Sequence, residues 1–336
     1  MKRQSDNNAA ESKWVHRCAV LLGLVTFPLI WVGGLVTTMD AGMAVPDWPN
    51  TYGYNMFLYP IETWIGGPWD LLIEHGHRLL GSLAGLVAIG LVIAAWRREQ
   101  RGWVFWACVA ALLLVIAQGT LGGIRVLAAD RAIAKVHGCV GPAFFALTVA
   151  IIVVTSSWWH RTSAGFASLG TSFSGLSLAV LVLAYLQLVL GANMRHINVE
   201  ADPMVFRSIV LFHVIGAVLT WLHAIALRWK AGRAGLPRDL LRPTTWLAVF
   251  VSLQLMLGLG TWVMKWGWPL GLAETAWLSG FVVPAKSMMQ ANIVTAHVAV
   301  GSLILATSVW STLRLARATA FRSISISPKQ ATGVPA

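Results

Sequence analysis

The stretches QGTLGG (118–123), QLVLGA (187–192) and QLMLGL (254–259) share the pattern Q-x-x-L-G, and each closes an apolar run long enough to cross a bilayer. A fourth run ends in LIWVGGL (29–35), which keeps the glycines but has Leu29 where the glutamine would fall. After each comes a loop and then a second apolar run that begins with a histidine: EHGHRLLGS (74–82), AKVHGCVGP (134–142), VLFHVIGAV (210–218) and VTAHVAVGS (294–302). A helix pair therefore repeats four times, or a four-helix unit twice.

The spans fall near residues 17–38, 72–96, 102–124, 133–157, 174–194, 205–229, 244–264 and 288–312. In lipid they must be helical, because backbone polar groups there can be satisfied only internally. The expected fold class is thus an all-α membrane protein of eight transmembrane helices arranged as two pseudo-symmetric four-helix bundles. Its parts are a cytoplasmic N-terminal tail (1–16), an N-terminal half (17–157), a cytoplasmic linker (158–173), a C-terminal half (174–312) and a disordered cytoplasmic tail (313–336).

Composition agrees. Of 336 residues 57% are hydrophobic and 11% charged, far more apolar than a soluble core requires. The net charge of +12 comes from short clusters between apolar runs, which suits anionic lipid headgroups and excludes a nucleic-acid stripe. Most of the 25 Lys and Arg lie on one side, while the first loop on the other side, 39–71, has none. Both termini are expected in the cytoplasm, with the first span a retained anchor of the cell membrane. The three cysteines, Cys18, Cys108 and Cys139, lie in or beside spans and imply neither a disulfide framework nor a thiolate metal site.

His77, His137, His213 and His297 begin the even-numbered spans and so share one depth. A glycine follows each within a turn (Gly81, Gly141, Gly216, Gly301), which would leave room for a flat ligand. A porphyrin held between imidazoles of two helices fits this pattern. Any one such histidine has an alternative use, bonding a carbonyl or sitting at the interface, but four in register do not. Zinc fits poorly, since three of the four lack a carboxylate or thiolate. Pairing within each half makes two sites, His77 with His137 and His213 with His297; cross-half pairing is compatible with the same spacing.

The remaining histidines, including His75 and His196, read as solvated or interfacial. Glu74 breaks the repeat, because Ala134, Val210 and Val294 stand at its counterparts. A carboxylate one turn from a heme ligand is placed to move protons or to stabilise positive charge; it would equally serve as a helix N-terminal charge or a partner for Arg78. Arg78, Arg125, Arg131, Arg195 and Arg207 oppose the charge trend and are candidates for heme propionates or lipid phosphates.

Together, the four registered histidines, Glu74-x-x-His77-Arg78 and the loop TTMDAGMAVPDWPNTYG (37–53) make the chain resemble the heme A synthase family, from about residue 17 to about 314. The resemblance implies an oxidoreductase acting on a CH group: the C8 methyl of heme O becomes the formyl group of heme A, through an alcohol and a geminal diol, for terminal oxidases. It implies heme O as substrate at His77 and His137 beside catalytic Glu74, and heme B as cofactor at His213 and His297. A heme O synthase as supplier and a quinone or other electron acceptor would be partners, with homo-oligomer formation left open. Some relatives carry a cysteine pair in an outer loop of the N-terminal half; this chain has none. The aromatic residues of the first loop, Trp48, Tyr52, Tyr54 and Trp64, would form either a lid or an interfacial belt. The alternative reading is a bis-histidine di-heme electron carrier without a catalytic step. A repeat-built transporter ranks below both, since the polar residues cluster at span ends.

Overall fold

The computed structural model describes residues 2–161, 171–198, 201–266 and 287–320, with side chains at 2–12, 171 and 320 excepted. Ten helices appear among them: α1 (Lys2–Thr38), α2 (Ile61–Ile65), α3 (Trp69–Arg98), α4 (Gly102–Ala128), α5 (Arg131–Thr155), α6 (Ser157–Arg161), α7 (Thr171–Arg195), α8 (Pro203–Arg233), α9 (Arg238–Trp266) and α10 (Met288–Ala320). Eight of these, all but α2 and α6, are long and apolar enough to span a membrane, and they match the eight expected runs. The chain is a multi-pass helical membrane protein.

The helices overrun the expected spans. The boundary expected at 16–17 falls inside α1 and that at 312–313 inside α10, which continues to Ala320. The disordered tail beyond 320 and most of the 158–173 linker lie outside the described residues. Helix ends follow local chemistry. Asp130 caps α5 by accepting from the Ala132 and Ile133 amides, and Asp202 caps α8 by accepting from Met204, ahead of Pro203 at the first helical position.

Each half closes as a ring: α1 packs on α3, α3 on α4, α4 on α5 and α5 on α1, and α7, α8, α9 and α10 follow the same order. Buried positions repeat along with it. Seven, eleven, fourteen and eighteen residues beyond His77 lie Ala84, Ala88, Leu91 and Ala95; the same steps beyond His213 give Thr220, Ala224, Leu227 and Ala231, all buried. Val104, Cys108, Ala111 and Val115 precede Gln118 as Leu240, Thr244, Leu247 and Val251 precede Gln254. Small residues on these faces let the backbones approach, as helix association in lipid requires. The opposite faces carry exposed Leu83, Leu86, Ile93, Leu113, Val218 and Leu222, a surface suited to acyl chains.

The two ends of the bundle differ. At one end, guanidinium groups lie over indoles, Arg101 on Trp103, Arg233 on Trp229, Arg314 on Trp158 and Arg317 on Trp159, an arrangement suited to headgroups. The other end, called outer below, carries the histidines and the long first loop.

The halves meet where α1, α5 and α10 touch. A β-carbon at Gly34 would lie 2.8 Å from Thr295 Cγ2, and the fully buried Thr295 bonds Thr38 Oγ1 at 3.4 Å. Gly34→Val should therefore overpack this contact and destabilise the protein by about 1–3 kcal/mol, read as a lower unfolding temperature in detergent. An unchanged temperature would mean that the halves are not packed there.

Candidate functional site

The four histidines meet in pairs within each half. The His77 and His137 rings have centroids 6.5 Å apart at 78°, and those of His213 and His297 are 6.2 Å apart at 65°. Two imidazoles on opposite sides of one metal ion, with metal–nitrogen bonds of roughly 2 Å, bring their centroids to about this separation. All four Nδ1 atoms are buried without a hydrogen-bond partner. Among the described residues no group of three or more His, Cys, Asp or Glu could cage an ion. Two facing imidazoles alone suit a metal whose other ligands come from a porphyrin, so the residues present fit heme.

The glycine of each Q-x-x-L-G run seats a histidine of the next helix. A β-carbon at Gly122 would meet His137 Cε1 at 3.4 Å, at Gly191 His213 Cε1 at 3.5 Å, and at Gly258 His297 Cε1 at 3.2 Å. Gly33 of α1 does the same for His77, at 2.7 Å. The glycines that follow the histidines have another use than the one expected. They admit the glutamines: the Gln118 amide nitrogen lies 2.9 Å from a β-carbon at Gly141, that of Gln254 3.4 Å from one at Gly301, and Gln187 is pressed against Gly216. Gln118 donates to the His137 carbonyl at 3.0 Å, and the Gln254 amide lies 3.3 Å from His297 Nε2. Gly81 alone of the four has nothing within 4 Å, and Leu29 replaces its glutamine.

Glu74 is 2% exposed, and both its oxygens are engaged. Oε1 accepts from Arg78 Nη2 at 2.8 Å, and Oε2 accepts from the Val45 amide at 2.9 Å. Arg78 also donates to the carbonyls of Val45 (2.8 Å), Asp47 (2.7 Å) and Asn50 (2.9 Å). This one ion pair thus clamps the first loop over the N-terminal site. The Trp48 ring lies directly on Gly123, beside the glycine that seats His137. Arg125 donates to the Gly42 carbonyl at 3.2 Å. Among the loop aromatics Trp48 packs inward on α4, whereas Tyr52 and Tyr54 are exposed and gather around Tyr59.

Asp47 orders the loop tip, its carboxylate accepting from the Tyr52 and Gly53 amides at 2.8 and 2.7 Å. Burial raises the Asp47 pKa, but these two amides and the Arg78 charge outweigh it and hold the carboxyl below the usual range.

His75 is not solvated as expected. It is 1% exposed, its Nδ1 lies 3.2 Å from Thr51 Oγ1, and it packs edge-on against Tyr59 and Trp64 at 5.4 and 4.9 Å. The sequence hint was the aromatic density of residues 52–64 ahead of it. His196 is half-buried against Gly138, in the neighbouring half, and burial, aided by the charges of Arg195, Arg125 and Lys135, pushes its pKa down to about 4.

The other arginines occupy distinct places. Arg125 is close enough to act electrostatically on both His77 and His137. Arg195 lies at the junction of the halves, donating to the Gly34 carbonyl at 2.9 Å and to Thr38 Oγ1 at 2.5 Å, and its charge reaches His297. Arg131 is exposed and donates to the Ile197 carbonyl at 3.2 Å, while Arg207 is half-buried in the second turn of α8.

A family model described as cytochrome oxidase assembly protein, COX15-CtaA, matches residues 69–203, which include Glu74, His77 and His137. The heme A synthase of Hyphomonas neptunium is 23% identical over 311 residues, 77% of this chain and 87% of that protein. That of Halalkalibacterium halodurans is 26% identical over 273 residues, 73% and 87% of the two chains. The chain is a relative of the heme A synthases. The alignments with these heme A synthases extend well beyond the family-model match. A protoheme IX farnesyltransferase of Haloarcula marismortui is also 26% identical over 151 residues, 45% of this chain and 30% of that protein.

Replacing Arg78 with Ala would leave Glu74 buried without its partner and should loosen the loop by about 3 kcal/mol. Faster hydrogen exchange at residues 45–51 would read this; unchanged protection would show that the pair is not the clamp. Because the Asp47 pKa is lowered on folding, its contribution is present above the ordinary aspartate range and lost as pH falls through the folded value. Exchange at 47–53, corrected for its intrinsic pH dependence, should therefore rise on acidification, and Asp47→Asn should abolish that rise.

Proposed function

We propose that this chain is a heme A synthase, an oxidoreductase converting the C8 methyl group of heme O to the formyl group of heme A. The observation that carries the reading is an asymmetry between two otherwise equivalent sites. Both have facing imidazoles at heme-ligand separation, but among the described residues only the N-terminal one has an engaged carboxylate and a folded loop beside it. A resident cofactor needs only ligands; a site that transforms a substrate needs charge control and exclusion of water.

On this reading His77 and His137 hold the substrate heme O, and His213 and His297 hold heme B. A heme B there would supply a one-electron relay, tuned by its axial ligands and its burial. Glu74 lies one turn before His77 with both oxygens already accepting hydrogen bonds, so it serves better as a fixed negative charge beside an electron-deficient carbon than as a free proton acceptor. Arg78 and the Val45 amide keep that charge in place, and Trp48 on Gly123 helps close the outer face. Arg125 beside the N-terminal pair and Arg195 beside the C-terminal pair are the candidates for propionate contacts, since each retains donors beyond its main-chain bonds. Arg131 and Arg207 would contribute from the rim. Heme O would come from a heme O synthase, and electrons would pass to a quinone or similar acceptor. The basic, tryptophan-rich end of the bundle supports the cytoplasmic side of the cell membrane for both termini.

The test is expression in a membrane host that makes heme O but no heme A, with extracted hemes separated by chromatography and mass detection. The wild type should yield heme A or its hydroxylated intermediate, and Glu74→Ala should lower the yield by about 10²-fold or more. Heme O left untouched by a wild-type chain that binds heme at both pairs would instead favour an electron carrier.

A further inference from the structure

Each histidine-bearing helix packs on the preceding helix of its pair, and in three of the four pairs a glutamine amide fills the space beside the glycine that follows the histidine. Gln118 of α4 reaches the His137 carbonyl of α5, Gln187 of α7 presses on Gly216 of α8, and Gln254 of α9 reaches His297 of α10. The Gln118 and Gln254 contacts are polar ties, which have few competing partners among apolar side chains and lipid, and Gln187 fills the same place by shape. Between α1 and α3 the amide is missing, and only the ring-to-main-chain hydrogen bond common to all four pairs remains, His77 to Leu29 as His137 to Gln118, His213 to Gln187 and His297 to Gln254. Leu29 cannot donate, and the space at Gly81 that a glutamine would fill is open to 4 Å. Leu29 has thus not merely replaced a polar filler by an apolar one of similar reach.

What else restrains α3 near His77 is different in kind. Gly33 of α1 touches the imidazole edge, and the Glu74–Arg78 pair, one turn either side of His77, fastens α3 to the outer loop. Beyond its bond to the Leu29 main chain, His77 is therefore held by a shape contact and by a segment that lies over the site, while its opposite number, His137, is carried on a helix with an additional amide tie to its neighbour at the same depth. Resting on the reading of the N-terminal pair as the substrate site, we infer that this site has one anchored and one exchangeable face, with His77 on the exchangeable face and Leu29 as the residue that sets the difference. A substrate heme must enter and leave, whereas a resident heme need not. The site assigned to the resident heme has the glutamine on both helix pairs, at Gln187 and Gln254.

The experiment uses the full-length chain purified with heme at both pairs, reduced with dithionite and mixed with carbon monoxide, following the Soret difference spectrum. In the wild type only the heme of the His77/His137 pair should bind carbon monoxide. Leu29→Gln, which places an amide in the open space at Gly81, should slow that binding by about 10- to 100-fold. Gln187→Leu should make the second heme reactive; it carries the test if Leu29→Gln fails to fold. Equal reactivity of both hemes in the wild type would overturn the inference. So would unchanged kinetics in Leu29→Gln, or an unreactive second heme in Gln187→Leu, with both hemes retained. Assay of the same preparations for conversion of heme O separates the two readings: conversion with equal carbon monoxide reactivity at both hemes overturns the inference alone, and no conversion overturns the substrate-site reading with it.

Discussion

Four imidazoles buried in the membrane, each with an Nδ1 that nothing among the described residues satisfies, are the constraint around which the rest of the chain is arranged. An unsatisfied polar group in such surroundings is costly, so four of them in register mean a ligand or a large loss of stability. The glycines at 33, 122, 191 and 258 exist in this fold because an imidazole edge occupies the place of their side chains. The buried faces of α3 and α8, and of α4 and α9, keep the same register from these residues inward. Both facts follow the repeat of the sequence.

Upon that repeat the N-terminal half has added one device. Glu74 and Arg78 are local to α3, yet their partners are the main-chain groups of Val45, Asp47 and Asn50, some thirty residues earlier. A buried ion pair therefore fastens the first loop, together with Arg125 at Gly42 and His75 at Thr51, and Trp48 lies against α4. The missing α1–α3 amide goes with this device: the helix that carries the loop clamp is the one without a glutamine tie at the depth of its histidine.

Much of this was legible in the sequence. Span number and position follow from hydropathy because lipid leaves the backbone no alternative to helix. The pairing of His77 with His137 and of His213 with His297 followed only in part, because the spacing left cross-half pairing open. The role of the glycines after the histidines did not. A small residue signals close approach without saying what approaches, and here it is a glutamine from another helix at Gly141, Gly216 and Gly301. His75 was misread for a related reason: its burial comes from Thr51, Tyr59 and Trp64, contacts made by a loop with no periodicity from which to place them. The arginines read as a uniform outer set take four different main-chain or interface settings, since a long side chain's partner depends on tertiary packing rather than on its position along a helix.

The central claim is that each facing pair of histidines holds its own heme. Low-temperature electron paramagnetic resonance of the oxidised, heme-loaded protein tests it most directly. Two low-spin signals are predicted, of which His137→Ala removes one and His213→Ala the other. A single low-spin signal, or two that disappear together in either variant, would contradict it.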